Sequence, residues 1–176
     1  MGYRPIHVVD DRAGAVAVEF ALVVPVILFL FLGTFEASAV IRAKMKFANS
    51  APIIANLVSM QSPTAQGNLI ADFCTGADYA MAPYPTANLA AQINSVTNTN
   101  GTASVDWTAT CGSVSNPQSS VTLASGLIPN SGDSVIVVQT SYSYDTPIHL
   151  VMPAVFNFSD VAFSRPRNGA TVQYPP

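Results

Sequence analysis

The chain has 176 residues, 49% of them hydrophobic and only 10% charged, with a formal net charge of −3. That charged share is far below the usual quarter, and no Lys or Arg occurs between Lys46 and Arg165. A nucleic-acid binder needs clustered cations to neutralise phosphates, so direct binding of DNA or RNA by this body is excluded from the expected functions.

The first informative stretch is GAVAVEFALVVPVILFLFLGTFE, Gly14 to Glu36. No charged residue stands between Phe20 and Phe35, and Ala15 to Thr34 gives twenty residues with one charge. Twenty helical residues span about 30 Å, the thickness of a hydrocarbon core, so a membrane-spanning helix is expected over 15–36. Pro25 lies inside it and is tolerated there. A secretory signal has a shorter apolar core followed by a small-x-small cleavage site. Here the small residue, Gly14, comes before the run and no convincing site follows, so the run is expected to be retained.

Glu19 is the anomaly in this segment. An acid in lipid carries a cost that falls toward the interface, and one reading is a hydrated interfacial carboxylate. The other begins with a cut after Gly14. Ala15 then becomes the N-terminus, and its ammonium lies one helical turn from Glu19. Opposite charges in a poor dielectric neutralise each other within one chain or between neighbours.

Beyond the span, residues 37–62 keep a helical pattern as an extension of the first helix. Val40, Met45, Phe47 and Ala51 are expected on one side, with Ile54, Leu57 and Val58 continuing it. Arg42, Lys44 and Lys46 form a solvated or headgroup-facing patch, with contact to anionic lipid as the functional version. Asn49 to Pro52 either starts a new helix or kinks the old one. The whole rod from Ala15 to about Met60 would be near 70 Å if unbroken. Ser62-Pro63 ends it, and residues 63–176 form a head.

In the head, Asn68 to Met81 is expected as a second helix. Leu69, Ile70, Phe73, Ala77 and Ala80 form its stripe, Gly76 weakens it, and Pro83 and Pro85 stop it. Leu89 to Val96 reads as a strand. Ala103, Val105, Trp107 and Ala109 alternate with polar residues as a second, half-buried strand after a turn at Asn98 to Gly101. Gly112 to Asn130 is mostly loop, and Asn130 to Asp133 is a turn. Ser134 to Tyr144, β-branched and aromatic, is the clearest strand in the chain. Pro147 to Val155 is a short helix or loop, and Val161 to Ser164 an edge strand stopped by Pro166. The fold class is therefore α+β: a long N-terminal membrane-spanning helix, a second helix and a small antiparallel sheet.

Cys74 and Cys111 do not form CxxC, and His7 and His149 make no ligand cluster, so no metal or other cofactor is expected. With the head outside the cytoplasm the cysteines make one disulfide; otherwise they are two buried thiols. Cations flank the span on both sides, Arg4 and Arg12 against Arg42, Lys44 and Lys46, which slightly favours an inside head. The paired cysteines, the cation-free Ser/Thr-rich body and the glycine before the anchor point the other way, and the outside orientation is expected. GDSV, Gly132 to Val135, resembles the nucleophile block of GDS-type esterases. It precedes a strand instead of following one, and His149 lacks the Asp-x-x-His context, so a turn is expected there and no enzyme activity.

Gly14, four residues, then Glu19-Phe20 is the arrangement of type IV pilin-like precursors. The wider string RAGAVAVEFALVVPVILFLFLGTFE resembles the start of the TadE-like family, minor pseudopilins of the tight-adherence (Tad, Flp-pilus) machinery. ANLVSMQSP (Ala55 to Pro63), AMAPYP (Ala80 to Pro85), VDW (Val105 to Trp107), SYSYDTP (Ser141 to Pro147) and SRPR (Ser164 to Arg167) are similar to later family segments. The resemblance implies a leader peptide at 1–14, cut between Gly14 and Ala15 by a prepilin peptidase that reads Gly14, Ala15, Glu19 and Phe20. It implies Glu19 as the subunit-assembly carboxylate and a pilin-like head. The implied partners are that peptidase, other pilins and pseudopilins, the Tad inner-membrane assembly platform and membrane lipid. The implied location is the inner membrane, single span, with a periplasmic head and a route into an extracellular pilus used for surface adhesion. The other reading is an uncleaved single-span envelope protein with a partner-binding head.

Overall fold

The computed structural model describes residues 12–61, 69–167 and 171–172. Most of the expected leader, the stop at Ser62-Pro63, the side chains of Leu69 and Ile70 and most of the tail lie outside the described residues. The elements in chain order are α1 (Arg12–Ala48), α2 (Ser50–Ser59), α3 (Leu69–Met81), β1 (Leu89–Thr99), β2 (Thr102–Cys111), α4 (Ser120–Ala124), β3 (Ser134–Asp145) and β4 (Val155–Ser164). The architecture is α+β, with a four-stranded antiparallel sheet in the order β2-β1-β3-β4.

Helix α1 runs through Pro25 without interruption. It is handed over to α2 at Asn49, whose N–H donates to the Lys46 carbonyl at 3.2 Å while its own carbonyl accepts from Ile53. Pro52, which has no N–H to donate, sits in the first turn of α2, where no intrahelical partner is required of it. The break is a single residue, Asn49, which keeps right-handed helical φ and ψ of −86° and −14°.

The buried stripe of this rod is Glu36, Ala39, Ala43, Phe47, Ser50/Ala51, Ile54 and Val58, a spacing that follows the 3.6-residue turn. Met45 is not on it. Two residues from both Ala43 and Phe47, it falls on another face and is 65% exposed, which corrects its expected place beside Phe47. Phe47 lies between Tyr142 and Phe158, with ring centroids at 6.1 and 5.9 Å. This aromatic group joins α1 to the sheet.

Helices α2 and α3 cover one face of the sheet around Ile54, Val58, Phe73, Ala77, Ile93, Ile136 and Val138. The expected α3 stripe ends on buried Met81, with Ala80 only partly covered. Gly76 brings α3 close to α2, since a Cβ there would stand 3.1 Å from Leu57 Cδ1. Its helix cost is thus matched by a packing need. On the opposite face, Val135 and Val137 pack with Val96, Ala124 and Ile128 beneath α4. The alternation of β3 between the two faces is the period-2 signature of a strand covered on both sides.

Three features of the strands bear on expectation: the turn before β2 is found where expected, and the other two are departures. The β1–β2 hairpin turns on Asn100-Gly101, both at positive φ, as a tight two-residue turn requires. In β2 the register shifts where Ser95 faces Trp107 and Val96 faces Val105, leaving Asp106 as the extra residue of a bulge. The Asp106 carboxylate accepts from the hydroxyls of Ser95 and Thr97 at 3.1 and 2.5 Å. Across the bulge the pattern flips: Trp107 packs on the α2/α3 side, Ala103 on the α4 side, and Val105 is exposed. The expected single-faced strand is therefore two half-strands of opposite facing. Thirdly, β4 begins at Val155 instead of Val161, and the expected loop over Gly112 to Asn130 holds the short α4, capped by Ser119.

Candidate functional site

The stretch Gly14–Ser59, α1 with α2, is the one helix among the described residues long and apolar enough to cross a membrane; none of its most apolar stretch is buried, and near the end of that stretch Gly33 meets Val151 of the head. Val16, Val18, Phe20, Leu22, Val26, Ile27, Phe29, Leu30 and Phe31 stand outward, Phe20 at 69% exposure. In water so large an apolar surface is untenable, and lipid is the solvent that suits it. Gly14, Ala15, Glu19 and Phe20 lie close together along this segment, all four exposed. Ala15 and Glu19 are four residues apart and so share one face of the helix.

The second carboxylate of the segment behaves in the opposite way. Glu36, the first residue after the charge-free run, is fully buried at 0% exposure. Its Oε1 accepts the N–H of Leu150 at 2.9 Å, and its Oε2 accepts those of Val151 at 3.1 Å and Met152 at 2.9 Å. Three successive backbone donors converge on one side chain, and hydrogen bonds to an ionised acceptor are the stronger kind. The donors are available because the β3–β4 connection, which runs from Pro147 to Pro153, does not continue the ladder. The loop is closed at its neck by Thr146, whose N–H donates to the Ala154 carbonyl at 2.9 Å and whose hydroxyl lies 3.2 Å from the Pro153 carbonyl. Nothing in the sequence reading assigned a role to Glu36. The available signal was its place, a lone acid ending a long uncharged run; the loop that meets it is more than a hundred residues away.

Arg42, Lys44 and Lys46 are exposed on the next turns of α1, above Glu36. Cys74 and Cys111 are joined, with Cα atoms 5.7 Å apart, tying α3 to the end of β2. Ser134 is the buried first residue of β3 and pairs with Thr97. His149 lies past the other end of that strand, about 35 Å away at the rise of a strand residue. The esterase-like pair is therefore not assembled, and Gly132, at φ 90°, serves the turn instead.

Buried polar groups inside the head serve its own folding. Gln139 holds the 112–119 loop, accepting from the N–H of Gln118 at 2.7 Å and donating to its carbonyl at 2.9 Å. Asn94 donates to Ser120 at 2.7 Å and accepts from Thr108 at 2.6 Å. These pairings explain how a body rich in amides and hydroxyls stays soluble inside itself without charge.

The family model of TadE-like proteins matches residues 14–51, which is α1 from Gly14 onward and the first two residues of α2. The later segments from Ala55 to Arg167 lie beyond the matched residues. No curated protein and no solved structure matches the chain. The chain is thus similar to TadE-like proteins over residues 14–51, the segment that begins the one helix among the described residues long and apolar enough to cross a membrane.

Proposed function

We propose that the chain is a minor pseudopilin of the tight-adherence machinery, processed by a prepilin peptidase and acting in pilus assembly or initiation. The observation that carries this reading is the exposed apolar stretch of α1, with Ala15 and Glu19 on one face of it inside the residues that match the TadE-like model. The precursor inserts with residues 1–14 on the cytoplasmic side. The peptidase cuts between Gly14 and Ala15. Glu19 then receives the new ammonium group, its own or that of an adjacent subunit, inside the membrane where neither charge is well solvated. The apolar helix that spans the inner membrane is the surface that packs on other pilins once the subunit leaves the bilayer. The periplasmic head, cross-linked by Cys74–Cys111, offers the outer contacts to pilins and to the assembly platform.

Glu19→Ala tests the role of the carboxylate. Cutting at Gly14 is expected to proceed in this variant, while pilus assembly at the cell surface is lost. Normal piliation by Glu19→Ala would contradict the assignment.

A further inference from the structure

We propose that the β3–β4 loop, residues 146–154, is a membrane-contacting element that sets Leu150 and Val151 into the interface of the bilayer crossed by α1, on the head's side. The inference rests on the single span and not on processing at Gly14.

Depth is the first argument. The loop is fastened to α1 through Glu36, at the end of the charge-free run. Val151 reaches below that point and lies against Gly33, whose Cβ, if present, would stand 3.5 Å from Val151 Cγ2. Gly33 is three residues further into the apolar run, about 4.5 Å along the helix axis. If the run defines the hydrocarbon, the loop has no choice but to meet its boundary.

The chemistry of the loop is the second argument. No Lys, Arg, Asp or Glu stands between Asp145 and Asp160. Leu150 is 55% exposed and Val151 43%, on a head whose other loops are rich in Ser, Asn and Gly. Irregular backbone is normally barred from lipid because its N–H groups lose their water. Here the N–H groups of Leu150, Val151 and Met152 are already held by Glu36, and Pro147 and Pro153 have none. The buried carboxylate thus removes a main cost of entry.

Lipid is the occupant because the patch is continuous with the exposed apolar surface of α1 and level with its end. Arg42 and Lys46 follow Glu36 by six and ten residues, or about 9 and 15 Å of rise, a range within which long cationic side chains reach phosphates. The head, already packed on the rod through α2 and Phe47, would then rest on the bilayer at a fixed tilt.

The test uses the full chain in phosphatidylcholine/phosphatidylglycerol vesicles. Single cysteines are introduced by Leu150→Cys, Leu28→Cys and Gly126→Cys and labelled with a small environment-sensitive fluorophore; the native cysteines are bonded to each other and do not react. Leu28 is in mid-span, and Gly126 is at the far end of the head with open space around it. Lipid carrying a nitroxide near the headgroup end of its acyl chain is expected to quench the Leu150 label about twofold or more, and aqueous iodide to quench it little. The Gly126 label should show the reverse. A Leu150 label quenched by iodide as strongly as the Gly126 label overturns the proposal. So does one shielded from both quenchers, which would mean a protein partner covers the loop. A Leu28 label that lipid fails to quench overturns the span itself, and the proposal with it.

Discussion

Glu36 and Val151 are 115 residues apart in the chain, and the carboxylate of one accepts the backbone N–H of the other at 3.1 Å. This contact ties the β3–β4 loop to the helix. The same carboxylate also holds the N–H groups of Leu150 and Met152, so the tip of the β3–β4 loop and the end of the apolar run are one structural unit. Replacing Glu36 by Ala leaves three loop donors without their acceptor. In Glu36→Ala the amides of residues 150–152 are expected to exchange hydrogen about tenfold faster or more, with the centre of β3 unchanged. Unchanged exchange at the loop would show that the clamp is not what orders it.

The aromatic group around Phe47 is the second attachment of helix to head. Phe47 is almost wholly buried between Tyr142 and Phe158. Phe47→Ala is expected to cost about 3–5 kcal/mol in unfolding of the head. Met45→Ala, two residues away but exposed, should change stability by less than about 0.5 kcal/mol. Chemical denaturation of the two variants in the same detergent or nanodisc checks the contrast.

The disulfide closes a segment of 37 residues between α3 and the end of β2. By loop entropy such a cross-link contributes about 3–4 kcal/mol. A Cys74→Ser/Cys111→Ser variant, or the wild type under reductant, should unfold at correspondingly lower denaturant.

Alkaline pH offers an independent check on the same region. Burial raises the Tyr142 phenol above its ordinary value, assisted by the nearby Tyr144, Asp145 and Tyr84, and burial likewise raises Tyr144. The unfolded chain releases these protons near pH 10, where the folded chain still holds them. Their contribution is therefore intact below about pH 10 and is lost as pH rises through the raised folded values. The thermal midpoint of the head should fall across this window. Tyr142→Phe should flatten the fall while losing the hydrogen bond from the phenol to the Pro85 carbonyl, 2.9 Å long.

Where local chemistry alone decides structure, the sequence was a good guide. Ser134 to Tyr144 could be read as a strand because nearly every residue is β-branched, aromatic or small and polar, and it became the central β3. The turn read at Asn98 to Gly101 holds the two residues, Asn100 and Gly101, on which the β1–β2 hairpin turns, and Phe73 and Ala77 announced the buried side of α3. Glu36 was not legible as a clamp because its partners are backbone groups of a loop that the helix meets only after folding. The bulge at Asp106 was hidden for a similar reason: Val105 and Trp107 look equivalent by spacing, and only pairing with β1 separates them. The early start of β4 was masked by the proline-rich approach from Pro147 to Pro153, although Phe156 and Phe158 alternate with polar residues just beyond it. The TadE-like segment was legible from one short motif and the uncharged run behind it, and the family match covers that same region.

The central claim is that Gly14 marks a processing site and Glu19 waits for the N-terminus made there. The most direct measurement is the intact mass of the protein taken from its native membrane. Processing predicts a chain lighter by residues 1–14, beginning at Ala15. A full-length mass would contradict it and leave Gly14 an ordinary helix glycine and Glu19 an interfacial acid on a permanent anchor.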